Sequence, residues 1–356
     1  MAAITKPILS LPLLNSLPDE LASRFDPIYL DYYNRYNVGR FHTHQIPIED
    51  FRANPAKYTI SYGRAIADPV FRVTDQQCPV EGGEITVRIY EPDPVLNDGK
   101  PRAGYINYHG GGWVFNGLSC DEEWCKRVVN ALGCVVFDVD YRLAPENKFP
   151  VPVDDSWAAF NWIREEKAPE FNVDSNRLAV GGVSAGGHIS AVIALKCRDA
   201  GIPLAFQLLS VPVTDLHGAF LPNGDLNPEC PHESYREMYY TAALPAERMS
   251  YFHKHFLGNP RPEEYDDPAN DAHWHISPLR HRSHADLAPA LVLTAEMDPL
   301  RDEGEAYGKK MNEAGSQAEM FRIKGVPHIV NGLDGIIEGG KIYNEKALAA
   351  LAKALN

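Results

Sequence analysis

From Glu84 onward the chain falls into a regular rhythm. Ile85, Val87 and Ile89 alternate with polar neighbours through Tyr90, a period of two that predicts a strand with one solvated face. Ala103–Tyr108 reads as the next strand, and Cys134–Val139 as an apolar strand buried on both faces. The helix between them is punctuated at both ends. Ser119 and Glu122 form a capping-box pattern, and Gly133 sits where a helix would stop. Val153–Lys167 is a second helix, with Asp154 and Asp155 in the first turn, where the helix dipole favours acids. A strand at Arg177–Gly181, a helix over Ala185–Arg198 and a strand at Ala205–Val211 follow. Strand and helix signals resume at Ala290–Ala295, Arg301–Ala314, Ala318–Ile323 and Lys341–Leu355. Strands alternating with helices imply a mostly parallel sheet with helices on both faces, an α/β architecture.

Two stretches break the rhythm. Residues 1–60 hold a helical pattern over Asp19–Tyr36, in which Leu21, Phe25, Ile28, Tyr29 and Tyr32 recur at three- and four-residue spacing; Pro27 should kink or split it. Residues 216–275 are rich in Pro, Gly, His and aromatics, among them Phe220, Tyr235, Tyr251 and Phe252. A structureless loop of that length is improbable in a compact domain, so short helices are expected. Both stretches read as cap material over the sheet. The expected division is therefore an N-terminal cap segment at 1–60, a first part of the α/β domain at 61–215, a cap insertion at 216–275 and a second part at 276–356.

Charge narrows the function classes. The formal net charge of −14 and the lack of a basic block argue against nucleic acid and against anionic membrane surfaces. No run approaches the roughly 20 apolar residues of a spanning helix, so stable membrane insertion is not expected. The apolar stretch Ile8–Leu17 is interrupted by Pro12 and Asn15 and followed by no small-residue cleavage site, which argues against a signal peptide. The six cysteines are scattered, and no Asn-x-Ser/Thr acceptor occurs, so a cytoplasmic location is expected.

Two glycine-rich motifs carry the chemistry. Gly182-Val183-Ser184-Ala185-Gly186 lies between an apolar strand and a helix, the context of a nucleophile elbow. The turn is sharp, glycines avoid collisions there, and the serine stands at a helix N-terminus where amides favour a developing oxyanion. Alone, the motif also fits a turn with an N-capping serine. His109-Gly110-Gly111-Gly112-Trp113 follows the strand Ala103–Tyr108, and its consecutive glycines leave amides free to point at a substrate oxygen. Gly111 and Gly112 are the candidate oxyanion donors with the Ala185 amide, supported by His109 and Gly110. A phosphate-binding turn is the other use of such a loop, but no Lys-Ser/Thr pair follows.

On an α/β sheet with a serine elbow, the acid and then the histidine follow the serine in the chain. Asp298 lies just past the strand Ala290–Ala295, at the edge where α/β sites gather. Asp302 and Glu296 are rival acids, Asp302 falling where the next helix begins. His328 is the one histidine after Asp298. It would take the proton from Ser184, and Asp298 would orient it.

These motifs resemble the hormone-sensitive lipase family of α/β-hydrolase esterases and lipases. The matching residues are His109–Trp113, Tyr141-Arg142-Leu143-Ala144-Pro145-Glu146, Gly182–Gly187 and Asp298-Pro299-Leu300-Arg301-Asp302-Glu303-Gly304, and the resemblance covers roughly residues 80–350. It implies the α/β-hydrolase fold with a helical cap and hydrolysis of carboxylic esters of short or medium acyl chains, without metal or cofactor. It also implies that His109 holds the oxyanion loop and that Tyr141–Glu146 shapes the core nearby. Val183 departs from the Asp or Thr that many members carry before the nucleophile, which leaves the subgroup and substrate preference open.

Histidine pairs such as His42/His44, His253/His255 and His273/His275 match no metal-ligand spacing, so no metal is expected. The expected partner is a small-molecule ester, and a C-terminal strand or helix offers a surface on which a homodimer could form. An arylformamidase or lactonase on the same fold remains an alternative, because the His-Gly-Gly-x-Trp loop does not separate amides from esters. A non-catalytic small-molecule receptor is the other alternative.

Overall fold

The computed structural model describes residues 13–58, 63–96 and 99–355. Eight strands form one sheet: β1 (Arg72–Val80), β2 (Gly83–Glu91), β3 (Arg102–Tyr108), β4 (Val135–Val139), β5 (Val173–Val183), β6 (Phe206–Ser210), β7 (Ala290–Met297) and β8 (Ala318–Pro327). Their spatial order is β1-β2-β4-β3-β5-β6-β7-β8. The first two pairings, β1 with β2 and β2 with β4, are antiparallel, and the rest are parallel.

Counting helices of ten residues or more, α1 is Pro27–Tyr36, α2 Glu122–Leu132, α3 Val151–Trp162, α4 Ala185–Asp199, α5 Ala246–Leu257, α6 Arg301–Glu313 and α7 Glu338–Leu355. The strand period of two sorts side chains into separate cores on the two faces. Ile106, Phe137 and Val180 pack with Val153 and Phe160 of α3 and Ile189 and Val192 of α4. Their neighbours Tyr105, Val136 and Ala179 pack with Cys125 and Val129 of α2 and Ala347 and Leu351 of α7. Ala290 and Val292 pack with Ala191 of α4 and Tyr307 of α6.

The elements follow the alternation, with three differences. Strand β1 has no apolar period to reveal it: only Cys78 is fully buried along it, as expected for an edge strand. The helix after β3 starts at Glu122, so Ser119 caps nothing. Asp121 precedes the helix, but its side chain turns inward, 3.4 Å from Asn107 Nδ2, and makes no cap bond. Gly133 does end that helix, at φ 63°. Asp138, in a strand read as apolar, is buried in β4 and accepts a 2.8 Å hydrogen bond from Asn107.

In the N-terminal stretch Pro27 splits the predicted helix into Asp19–Ala22 and α1, and Asp26 caps the second piece by accepting from the Ile28 and Tyr29 amides. Leu21, Phe25 and Tyr29 are buried as the spacing implies, but the face continues through Tyr33 rather than Tyr32, and Ile28 points outward. Residues 1–12, including part of the apolar stretch Ile8–Leu17, lie outside the described residues. The second irregular stretch forms Leu216–Ala219, Ser234–Glu237, α5, a 3₁₀ turn at Glu263–Asp266 and Asp271–Ile276. No helix among the described residues is long and apolar enough to cross a membrane.

Candidate active site

Strand β5 runs directly into α4 through Ser184, which holds φ 59° and ψ −114°. Such a backbone is costly for a residue with a side chain, and it persists only where the surroundings over-determine it. Here the Ser184 amide donates to the Ser210 carbonyl at 2.9 Å. The flanking glycines are needed for space. A Cβ on Gly182 would sit 2.2 Å from the Tyr108 carbonyl oxygen, and one on Gly186 1.8 Å from the same atom. Any side chain at either position would push the elbow off β3.

The loop after β3 passes alongside. Gly111, Gly112 and Trp113 all have positive φ, at 120°, 62° and 62°. A Cβ on Gly111 would lie 2.2 Å from the Phe115 carbonyl oxygen, and one on Gly112 2.3 Å from the Phe252 ring of α5. The loop is held from behind. His109 Nδ1 donates to the Gly110 carbonyl at 2.7 Å, the ring stacks on Tyr141 at 4.3 Å, and Tyr141 Oη donates to the His109 carbonyl at 2.7 Å. Gly110 supplies that carbonyl, and Asn116 Nδ2 donates to it as well, at 3.2 Å.

Asp298 leaves the end of β7 and is fully buried. One carboxylate oxygen accepts from the Leu300 amide at 3.1 Å, which fixes its plane, and the other lies 2.7 Å from His328 Nδ1. A carboxylate only accepts, so Nδ1 carries a proton. His328 follows the last residue of β8. The rival acids are engaged elsewhere. Asp302 accepts from the Ser234 amide at 2.7 Å and pairs with Arg301, and Glu296 accepts from the Gly325 amide at 2.8 Å.

Ser184, His328, Gly110, Gly111 and Gly112 line one cavity. The two irregular stretches line it as well, through Thr43, Phe51, Leu244, Arg248 and Phe252. We call these stretches the cap for that reason. Cap residues also bind the acid loop: Ser234 Oγ donates to the Pro299 carbonyl and Thr241 Oγ1 to the Met297 carbonyl.

One brace escaped the sequence. His188 is buried on α4, and its Nδ1 accepts from Trp113 Nε1 at 3.3 Å while its Nε2 lies 2.8 Å from the His275 carbonyl. An indole N–H only donates, so Nδ1 is bare and Nε2 donates. Burial lowers this imidazole to about 4, which keeps that tautomer neutral. The ring thereby ties the oxyanion loop, the elbow helix and the cap together. Its position four residues after Ser184, on the same helix face, was the available signal. The histidine pairs behave differently: among the described residues no group of three or more His, Cys, Asp or Glu comes together as a metal site.

Residues 105–331 match the family described as the alpha/beta hydrolase fold. The chain is 31% identical over 354 residues to an AB hydrolase superfamily protein of Schizosaccharomyces pombe, covering 97% of each. It is 34% identical over 295 residues to the carboxylesterase NlhH of Mycobacterium tuberculosis, covering 81% of this chain and 84% of that one. Among solved structures it is similar to EstE1, a thermostable carboxylesterase cloned from a metagenomic library, with a TM-score of 0.71 and 35% identity over 82% of this chain and 92% of that one.

Proposed function

The chain belongs to the α/β-hydrolase family, among the esterases related to hormone-sensitive lipase, and from that premise we propose how its own residues hydrolyse a carboxylic ester. It is a carboxylesterase-like serine hydrolase. Ser184 is the nucleophile, His328 the general base and Asp298 the acid that orients it. The observation that carries this reading is the buried 2.7 Å contact between Asp298 and His328 Nδ1, made by a histidine lining the same cavity as Ser184.

His328 Nε2 takes the hydroxyl proton as Ser184 attacks the ester carbonyl, then returns it to the leaving alcohol. Asp298 holds the Nδ1–H tautomer and stabilises the imidazolium. The amides of Gly111, Gly112 and Ala185 receive the oxyanion, each donor contributing about 3 kcal/mol to the barrier reduction. Water repeats the sequence on the acyl-enzyme.

The test is hydrolysis of p-nitrophenyl esters of increasing acyl length by wild type, Ser184→Ala and His328→Ala. Loss of about five orders of magnitude in kcat in both variants, with a covalent adduct on Ser184 from a fluorophosphonate, is the expected result. Retained turnover in Ser184→Ala would sink the assignment. Aryl formamides and lactones run beside the esters show whether the site favours those substrates instead.

A further inference from the structure

Asp298 leaves the sheet where strand pairing loses its regularity. Strand β6 last pairs with β7 at Leu293. The β7–β8 ladder shifts register just before the acid: Ala295 pairs with Ile323, whereas Met297, two residues on, pairs with Pro327, four residues on. The peptide groups on either side of Asp298 are held from the cap insertion. Thr241 Oγ1 donates to the Met297 carbonyl at 2.8 Å, and Ser234 Oγ donates to the Pro299 carbonyl at 2.6 Å. Ser234, Thr241 and Asp298 are all buried.

These two carbonyls bracket the acid. A peptide group is planar, so a bond that orients its C=O also orients its N–H. The Met297 carbonyl shares its plane with the Asp298 N–H, and the Pro299 carbonyl shares its plane with the Leu300 N–H. That Leu300 N–H holds one Asp298 carboxylate oxygen at 3.1 Å, while the other lies 2.7 Å from His328 Nδ1. Proline has no N–H, so Leu300 carries the first main-chain donor after the acid. A continuous chain therefore runs from the Ser234 hydroxyl through the Pro299–Leu300 peptide to the carboxylate, each link polarising the next. Ser234 is itself fixed: its amide donates to Asp302 at 2.7 Å, and its hydroxyl accepts from the Asp302 amide at 3.3 Å. Glu237 pairs with Arg301 at 3.1 Å, and Arg301 donates in turn to the Glu296 carbonyl at 3.2 Å.

We propose that Ser234 and Thr241 are positioning residues for the triad acid: their hydroxyls set the Asp298 carboxylate toward His328 and so raise kcat without touching substrate. This rests on Asp298 being the acid that serves Ser184 and His328. Residues 234–241 then work as part of the sheet edge, although they lie in the cap insertion. Neither Ser234 nor Thr241 is among the described residues that line the cavity, so the effect falls on turnover and not on binding.

The experiment measures kcat and KM on the p-nitrophenyl ester that the wild type hydrolyses fastest. Ser234→Ala, Thr241→Val and Thr241→Ser are each compared alone and combined with Asp298→Asn. Ser234→Ala and Thr241→Val should each lower kcat about tenfold with KM within about twofold, since a misplacement of about 1 Å can cost about 100-fold. Thr241→Ser keeps the hydroxyl and should stay within about twofold of wild type. In the Asp298→Asn background, Ser234→Ala and Thr241→Val should change kcat less than about twofold, because residues acting through one group are not additive. A purely structural role predicts the same loss in both backgrounds, and that result overturns the proposal. So does a loss carried by KM, or a kcat within about twofold of wild type in either single variant. Should Ser234→Ala fail to fold, Ser234→Cys, a weaker donor of similar size, is read by the same criteria. Asp298→Asn alone separates the two readings. Full activity in that variant sinks the triad assignment, whereas a loss of about 10⁴-fold there, with kcat unaltered in Ser234→Ala or Thr241→Val, sinks the positioning role alone.

Discussion

At the carboxyl edge of the sheet, Ser184, Asp298 and His328 each come within one residue of a strand end. In the cap, Thr43 sits on a 3₁₀ turn and Arg248 and Phe252 lie one turn apart on α5, two elements far apart in the chain that both line the cavity. The first group inherits its geometry from strand pairing and from glycines that admit no Cβ, so its positions vary little while the sheet is intact. The second group depends on side-chain packing: Phe252 over Gly112, Arg248 over Phe252, and Trp113 stacked on Phe256 at 4.2 Å. Chemistry is thus built into the rigid half and substrate choice into the adaptable half, the division expected where function varies on a constant scaffold.

The sharpest way to break this comparison is to contrast two neighbouring acids, one at a strand end and one in the first turn of α6. Asp298 faces His328, whereas Asp302, four residues later, binds the Ser234 amide of the cap. Asp298→Asn should lower kcat about 10⁴-fold on any ester, because the wrong imidazole tautomer is then favoured. Asp302→Asn should leave kcat within about threefold and cost roughly 1 kcal/mol of stability through the lost charge-assisted bond. Steady-state kinetics and a denaturant titration on both variants separate the two effects. The reverse pattern would mean that the first turn of α6, and not the strand end, presents the acid.

The same division explains what could be read from the chain alone. The alternation of Ile85, Val87 and Ile89 and the apolar run at Val135–Val139 are local codes, legible because a period of two sets which face is buried. Elbow and oxyanion loop were legible for a related reason: only glycine fits at Gly182 and Gly186, so the constraint is written in the sequence itself. Strand β1 was silent because, as an edge strand, it buries only Cys78 fully. His188 offered only its spacing from Ser184, because its partners, Trp113 and the His275 carbonyl, are 75 and 87 residues away. In the cap, the buried face keeps a four-residue spacing through Leu21, Phe25, Tyr29 and Tyr33, so Tyr32 falls beside it and not on it.

A milder stress should separate the halves by pH. Burial lowers His42 to about 4, and His44, His217, His253 and His275 each to about 3; all five lie in the cap. Each folded value lies below the ordinary 6.5, so the folded state refuses protons that the unfolded state accepts. Their contribution is complete above pH 6.5 and is lost as pH falls from there toward 3–4. Hydrogen exchange, corrected for intrinsic rates, should therefore show α5 amides losing about tenfold or more protection between pH 7.5 and pH 5, relative to amides of β5 and β7. Equal loss in both regions would mean that cap and sheet open as one unit.

A third effect lies at the seam, where Glu303 belongs to neither half alone. It sits on α6 just after the acid loop and is fully buried. One oxygen accepts from the Thr214 amide at 2.6 Å, and the other lies 3.0 Å from Tyr235 Oη in the cap. Burial raises its carboxyl to about 7 against the ordinary 4.5. The sign is opposite to that of the histidines: the stabilising protonated form is complete below pH 4.5, and its contribution is lost as pH rises through 7. Glu303→Gln keeps an acceptor for the Thr214 amide and offers Tyr235 an N–H, but it cannot ionise. The nearby His232, 2.9 Å from Asp215, is coupled to the Glu303 charge, so the difference between the two proteins reports the carboxyl and this imidazole together. Denaturant midpoints at pH 5 and pH 8 should show the variant gaining about 1–3 kcal/mol relative to wild type across that interval. Parallel pH profiles would show that Glu303 ionises in place without cost, and that the seam is held by the packing of Tyr235 and not by the protonation state of the carboxyl beneath it.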